Sequence, residues 1–191
     1  GLQAQPTKSN ILLITPGERH DVIVRPTGKP GTGLTLRAMP HNRGDGSRDP
    51  VWPHPFAARL RIALEATRLT VVLDIENTGE HAFAFTAALH TYLRVDDIAH
   101  AAVEGLQGCD FEDSANGGTL HRQTDYEVSF QEETDRIYAD VVAPLLLIDG
   151  NEHLAIEQDG FGDVVAWSPG SSLAARIGDL APGEHRHFVC V

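Results

Sequence analysis

Short runs of alternating apolar and polar residues dominate this chain. Between residues 60 and 65 every second side chain is apolar, which is typical of a strand with one buried face. Convincing amphipathic helices are absent. Short strands separated by Gly, Pro and Asn turns predict an all-β fold, namely a large antiparallel sandwich. The predicted strands are 11–14, 22–24, 34–39, 60–64, 69–75, 83–89, 98–103, 126–130, 145–148, 154–156, 164–167 and 187–191.

One long polar loop interrupts this pattern. Residues 40–50 are rich in Pro, Gly, Asp, Asn and Arg, which are turn and loop formers. We therefore predict a boundary there, with one segment over residues 1–49 and a second over residues 50–191.

The charge balance limits the partners of this chain. Lys and Arg total 15 against 27 Asp and Glu, which gives a formal net charge of -12. Nucleic acids and anionic membranes attract clustered positive charge, so neither is an expected partner. A small phosphorylated molecule is compatible with this net charge, because a local group of Arg residues can bind phosphate although the whole chain is negative.

The two cysteines and the lack of a long apolar run point to the cytoplasm. Cys109 and Cys190 are far apart and imply no disulfide framework, which suits a reducing compartment. No apolar stretch approaches the roughly 20 residues of a membrane span.

His185, His187 and Cys190 are the candidates for a metal site. Residues i and i+2 share one face of a strand, so the two imidazoles would converge if 187–191 and the residues before it were extended. A further ligand from a neighbouring strand would still be needed. The plainer interpretation is a solvated strand end, and we predict no metal.

His90 and Asp135 are the candidates for acid–base chemistry. His90 ends the apolar run 83–89, where packing alone would not select an imidazole. Asp135 lies in an acidic stretch at 132–138. Taken singly, a structural histidine and a solvated carboxylate are the commoner explanations of such residues.

Several separated motifs resemble the sugar-phosphate mutarotases, the glucose-6-phosphate 1-epimerase family. The segment 85–95, with His90-Thr91-Tyr92 at its centre, is similar to the His-Thr-Tyr-Phe strand of that family. The further matching segments follow in the family's order over residues 50–191. They are 103–108, 135–138, 164–169, Asp179 and 187–191.

This resemblance implies a fold and an activity. The fold is the galactose-mutarotase-like β-sandwich, and the activity is interconversion of the α and β anomers of a hexose 6-phosphate without a cofactor. His90 takes the catalytic role of general acid, and Asp135 takes a substrate-binding role. A monomer acting on a small sugar phosphate is expected.

Two departures from the family predict an incomplete, impaired copy. The family's general base is a Glu directly after the Val-Cys-Val strand, and the sequence ends at Val191. The strands that carry the family's phosphate-binding Arg residues have no counterpart before residue 50. A catalytically silent carbohydrate-binding sandwich is therefore the alternative.

Residues 1–49 resemble a different family. The segments 11–24 and 36–44 are similar to the middle cupredoxin domain of bacterial multicopper oxidases. The segment is too short for a whole cupredoxin and has no His-Cys-His ligand strand. A multicopper oxidase fragment is consequently the less favoured function, and no copper is expected.

Overall fold

The computed structural model describes residues 34–38, 54–178 and 180–191, and of 34–38 only the backbone. The predicted strands 11–14 and 22–24, the loop 40–50, the boundary near residue 50 and Asp179 lie outside this part. The chain divides into two compact units between Ala87 and Ala88. Each unit is described by itself.

The first unit contains a three-stranded antiparallel sheet. Its strands are β1 (Leu34–Ala38), β2 (Phe56–Leu64) and β3 (Leu69–Asn77), in that order across the sheet. Arg61 donates two hydrogen bonds, of 2.7 and 3.0 Å, to the Asp74 carboxylate on the neighbouring strand. The predicted strands 34–39, 60–64 and 69–75 are confirmed.

The strand predicted over residues 83–89 is wrong. β3 ends in a turn in which Asn77 Oδ1 accepts a hydrogen bond of 2.9 Å from Gly79 N. Beyond it, residues 82–91 have no strand partner among the described residues. Alternating apolar side chains are insufficient here, because a strand also requires a ladder of backbone hydrogen bonds. The rings of Phe83 and Phe85 instead lie 6.2 Å apart, and Phe83 stacks on His54 at 5.0 Å.

The second unit is built from two antiparallel sheets. A four-stranded sheet has the order β11-β10-β5-β8, and a six-stranded sheet has the order β4-β13-β12-β9-β6-β7. The strands are β4 (Tyr92–Arg94), β5 (Ala101–Glu104), β6 (Asp110–Asp113), β7 (Thr119–Arg122), β8 (Glu127–Ser129), β9 (Thr134–Tyr138), β10 (Leu145–Asp149), β11 (Glu152–Ile156), β12 (Val164–Ser168) and β13 (Phe188–Cys190).

Short helical segments complete this unit. One α-helix, α1, spans Gly170–Ala174, and 3-10 turns occupy Ile98–His100, Ser114–Asn116 and Glu184–His187. The predicted strand 98–103 consequently starts only at Ala101. Its first residues form a 3-10 turn, because the Asp97 carboxylate accepts a hydrogen bond of 3.1 Å from Ala99 N and caps that turn.

The core of the second unit lies between its two sheets. Val103 and Leu147 from the four-stranded sheet join Tyr138, Ala166 and Val189 from the six-stranded sheet in one buried apolar cluster. Burial of apolar surface between two sheets is the main stabilising term of such a sandwich. The predicted all-β sandwich is confirmed.

Candidate active site

The candidate site is built on one row of residues across the six-stranded sheet. Tyr92 pairs with Cys190, Cys190 pairs with Trp167, and Trp167 pairs with Asp135. Directly opposite residues of antiparallel strands place their side chains on one face. The row faces away from the core, because Val189, next to Cys190 on β13, is buried in that core.

His90 joins this face from the segment before β4. Its ring stacks on the ring of Tyr92, with centroids 4.9 Å apart and planes inclined by 14°. It also meets the Trp167 ring edge to face at 5.8 Å. The side chain of His90 is exposed.

Phe188 completes the group of rings on this face. It lies 5.2 Å from Tyr92 and 6.1 Å from Trp167 between centroids. His90, Tyr92, Trp167 and Phe188 are called the aromatic cluster below. Pairs of rings at these separations contribute about 0.5–1.5 kcal/mol each beyond the area they bury.

The aromatic cluster also encloses the thiol of Cys190. Tyr92 and Trp167 flank Cys190 on the two neighbouring strands, and their ring centroids are 6.2 Å apart. Cys190 is 4% exposed, and burial raises the pKa of its thiol to about 12. The thiol is therefore uncharged at neutral pH and is not a nucleophile.

Strand β9 fixes Asp135 through the residues that point to the opposite face. Tyr138 is fully buried, and its hydroxyl donates a hydrogen bond of 3.0 Å to Gln123 Oε1. The Arg136 guanidinium lies 4.9 Å from the centroid of the Phe111 ring. With Arg136 and Tyr138 held on the inner face, the alternation of the strand directs Asp135 to the face that carries His90.

Asp135 is partly buried among other carboxylates. Desolvation is the main cause that raises the pKa of Asp135, and the negative charges of Glu133, Asp113 and Glu112 raise it further. The positive charge of His90 acts in the opposite direction. Trp167 links the two predicted site residues, because its ring contacts His90 and its backbone pairs with Asp135.

The arrangement can donate and accept protons at one exposed surface. His90 supplies an imidazole, the usual side chain for proton transfer near neutral pH. Asp135 supplies a carboxylate that can accept hydrogen bonds from hydroxyl groups. Sequence reasoning identified both residues by resemblance, but their catalytic and binding roles stay predictions.

The proposed arrangement of His185 and His187 on a strand is wrong. Both residues belong to a 3-10 turn, so they do not share a strand face. His187 Nδ1 lies 2.8 Å from the carbonyl oxygen of Asp96, and His187 O accepts a hydrogen bond of 3.1 Å from Val95 N. Its observed role is to hold the end of β4. Within the described residues, no group of three or more His, Cys, Asp or Glu side chains could hold a metal ion.

Sequence reasoning missed Trp167 and Tyr92 as neighbours of His90. Both occur in the motifs that carry the resemblance, but their contact depends on the pairing of β4, β13 and β12. The detectable signal was the i, i+2 spacing of His90 and Tyr92, which places both rings on one side of an extended chain.

Comparison with known proteins agrees with this architecture. The model of the family described as aldose 1-epimerase matches residues 18–191. A crystal structure titled as that of a "putative mutarotase (YeaD)" from Salmonella typhimurium superposes with a TM-score of 0.72 at 30% identity, covering 85% of this chain and 52% of that one. The second unit thus has a galactose-mutarotase-like sandwich.

Two curated relatives carry the name "Putative glucose-6-phosphate 1-epimerase". The protein from Escherichia coli K12 is 35% identical over 144 residues, which are 73% of this chain and 46% of the relative. The protein from Cenchrus ciliaris is 30% identical over 146 residues, 74% of this chain and 44% of the relative. The chain therefore spans about half the length of the curated relatives it matches.

These matches bear on the N-terminal segment as well. The family match begins at residue 18, inside the segment 1–49 that resembles a cupredoxin. The matches do not show the cupredoxin resemblance. Separately, no helix in the described part of the chain is long and apolar enough to cross a membrane.

Proposed function

Because the chain belongs to the aldose 1-epimerase family, we propose that it interconverts the α and β anomers of a hexose 6-phosphate. The observation that supports this most is that His90 and Asp135 both neighbour Trp167 on one sheet face. Their positions in the sequence are distant, and only the pairing of β9, β12, β13 and β4 brings them together. Relatives named as glucose-6-phosphate 1-epimerases support the choice of substrate.

The proposed mechanism is reversible proton transfer. The protonated imidazole of His90 gives its proton to the ring oxygen of the sugar while a base removes the proton of the anomeric hydroxyl. The bond between C1 and the ring oxygen breaks, and an open-chain aldehyde forms. Rotation about the bond between C1 and C2 followed by the reverse proton transfers closes the other anomer. Neither electrons nor atoms are exchanged with a cofactor.

Asp135 binds substrate in this proposal. Its carboxylate accepts hydrogen bonds from sugar hydroxyl groups, and a hydrogen bond to a charged group contributes about 1.5–3 kcal/mol. By resemblance, the base is the Glu that follows the Val-Cys-Val strand in the family. We propose that a polypeptide of residues 1–191, tested as such, exchanges anomers slowly because it lacks that carboxylate.

The remaining properties are also proposals. A net charge of -12 supports a small-molecule partner rather than nucleic acid or a membrane surface. We propose a cytoplasmic monomer without a metal or another cofactor. The domain division at residues 49 and 50 is likewise a proposal, with the mutarotase-like sandwich on its C-terminal side.

The function is tested by anomer exchange of glucose 6-phosphate, measured by NMR exchange spectroscopy above the uncatalysed rate. We compare residues 1–191 with the same polypeptide carrying one Glu after Val191. The extended polypeptide should be faster by about 10²–10⁴-fold, the usual contribution of one acid or base group. Equal and fast exchange by both would contradict the role of that Glu.

Matched variants of the extended polypeptide assign the residues. His90→Asn should lower kcat by about 10²–10⁴-fold, and Asp135→Asn should mainly raise KM. His153→Asn on β11 and Asp159→Asn in an exposed loop serve as controls and should match the parent. Binding of glucose 6-phosphate without any exchange would favour the silent carbohydrate-binding module instead.

A further inference from the structure

His90 has an unusual set of contacts for a residue that transfers protons. Within the described residues, its imidazole has ring contacts and an electrostatic interaction but no hydrogen bond. A functional imidazole is commonly oriented by a hydrogen bond from one ring nitrogen to a carboxylate or a backbone carbonyl. Another structural feature must therefore orient this ring.

The backbone does not supply that orientation by itself. His90 lies in residues 82–91, which have no strand partner in the part of the chain that the structure describes. The side chain is also exposed, so core packing does not lock its rotamer. The first residue after it with a fixed place in a sheet is Tyr92 at the start of β4.

The aromatic cluster fixes the ring by two perpendicular contacts. The Tyr92 ring lies almost parallel to the imidazole, at 4.9 Å and 14°, and sets the plane of His90. The Trp167 ring meets it at 5.8 Å and 79°, and limits its motion within that plane. Tyr92 and Trp167 are themselves held by pairing with Cys190 on β13.

We propose that Tyr92 is a positioning residue that orients the imidazole of His90 by stacking, so that both ring nitrogens stay available to substrate. This inference rests on the proposed function. Reversible anomer exchange needs an imidazole that donates a proton in one half of the cycle and accepts one in the other. Orientation through the ring face suits this demand, because neither nitrogen is occupied by a permanent partner.

The test distinguishes the effect of the Tyr92 ring from the effect of its hydroxyl group and from the effect of apolar packing. Tyr92→Phe keeps the stacked ring, whereas Tyr92→Leu and Tyr92→Met remove it and retain an apolar side chain. Tyr126→Leu is the matched control, since Tyr126 is an exposed tyrosine outside the aromatic cluster. Thermal unfolding selects the variants that are folded, and Tyr92→Met replaces Tyr92→Leu where the latter unfolds.

Two readouts are taken from each folded variant of the Glu-extended polypeptide. The first is the NMR chemical shift of the carbon-bound protons of the His90 ring, which the ring current of Tyr92 displaces. The second is kcat and KM for anomer exchange. Tyr92→Phe and Tyr126→Leu should retain both the shift and the rate. Tyr92→Leu should lose the shift and lower kcat by about 10–100-fold with KM little changed, since a displacement of about 1 Å has this effect.

Each failure has its own meaning. Unchanged His90 shifts in Tyr92→Leu would overturn the proposed stacking, whatever the activity. Lost shifts with an unchanged kcat would overturn the positioning role. If neither the parent chain nor its Glu-extended form exchanges anomers above the uncatalysed rate, the proposed function is contradicted. The catalytic positioning role is then contradicted as well. The NMR shifts still decide whether Tyr92 orients the ring.

Discussion

At the scale of single residues, the two cysteines have very different surroundings. Cys109 is partly exposed, whereas Cys190 is covered by the aromatic cluster. Burial raises the pKa of the Cys190 thiol to about 12, and alkylating reagents attack the thiolate form. The structure therefore separates two chemically identical groups by their access to solvent.

We predict that iodoacetamide at pH 8 alkylates Cys109 first in the folded chain. Cys190 should react more than about a hundredfold more slowly than a free cysteine, because each pKa unit removes about tenfold of the thiolate. Peptide mapping by mass spectrometry measures both sites, and unfolding in urea should remove the difference. Equal reactivity in the folded chain would show that the aromatic cluster does not cover β13.

Asp135 illustrates the stability cost of a site carboxylate. Its pKa is raised in the folded state, so folding favours the protonated form. Its contribution to stability is therefore greatest below the unfolded pKa of about 3.9, and is lost as the pH rises through the folded pKa. At neutral pH the ionised group opposes folding.

Asp135→Asn should accordingly stabilise the chain at pH 7. The expected gain is about 0.2–1 kcal/mol, the range for partly solvated charges, and it should shrink as the pH falls toward 4. Urea unfolding at several pH values measures it, with Asp159→Asn as the control. A loss of stability at pH 7 would mean that interactions of the carboxylate outweigh its desolvation.

At the scale of elements, the helix after β12 supports the start of β9. Gly170 begins α1 with a φ of 58°, in the left-handed region that favours glycine. A Cβ at this position would lie 2.5 Å from Glu133 N and 2.9 Å from the carbonyl carbon of Glu132. The backbone that leads into Asp135 is therefore packed directly against this glycine.

Gly170→Ala should lower the free energy of unfolding by at least about 2 kcal/mol, through backbone strain and the contact with residues 132–133. Gly162→Ala is the matched control, since no atom lies within 4 Å of its added Cβ, and it should stay within about 0.5 kcal/mol. Urea midpoints measure both. Similar midpoints for the two variants would contradict the close approach of the two segments.

The sequence predicted those strands that have a regular apolar face. The strands predicted at 126–130, 145–148, 154–156 and 164–167 are confirmed, and the strand predicted at 187–191 is confirmed over Phe188–Cys190. It missed β6, because Phe111 is the one apolar residue among acidic neighbours. That strand exists because β7 and β9 supply its hydrogen-bond ladder on both sides. The strand predicted at 83–89 is wrong for the opposite reason. Its residues are mostly apolar but have no hydrogen-bond ladder to another strand in the described part of the chain.

The candidate site was partly accessible to sequence reasoning. The resemblance identified His90 and Asp135 one by one, since each lies in a recognisable motif. Their shared face with Tyr92, Cys190 and Trp167 was not accessible, because it depends on strand register, and register is a non-local property.

At the scale of the whole molecule, the second unit is a sandwich with two unlike faces on its larger sheet. The inner face is apolar and well packed, while the outer face carries the aromatic cluster, Asp135 and several exposed apolar side chains such as Val165 and Leu120. Sheets of soluble proteins more often present a polar outer face. An outer face of this composition is consistent with a surface that binds a sugar.

The position of β13 in the six-stranded sheet also sets the order in which the site comes into existence. β13 follows both β4 and β12 in the sequence, yet it lies between them in the sheet. During synthesis on the ribosome, β4 emerges early but has no place in the sheet until β13 is made. His90 and Tyr92 therefore cannot take their places in the site before β13 is made, whereas β9 and β12 can already pair. The site therefore forms only once β13 is in place, and an intermediate without β13 has part of the sheet but no site.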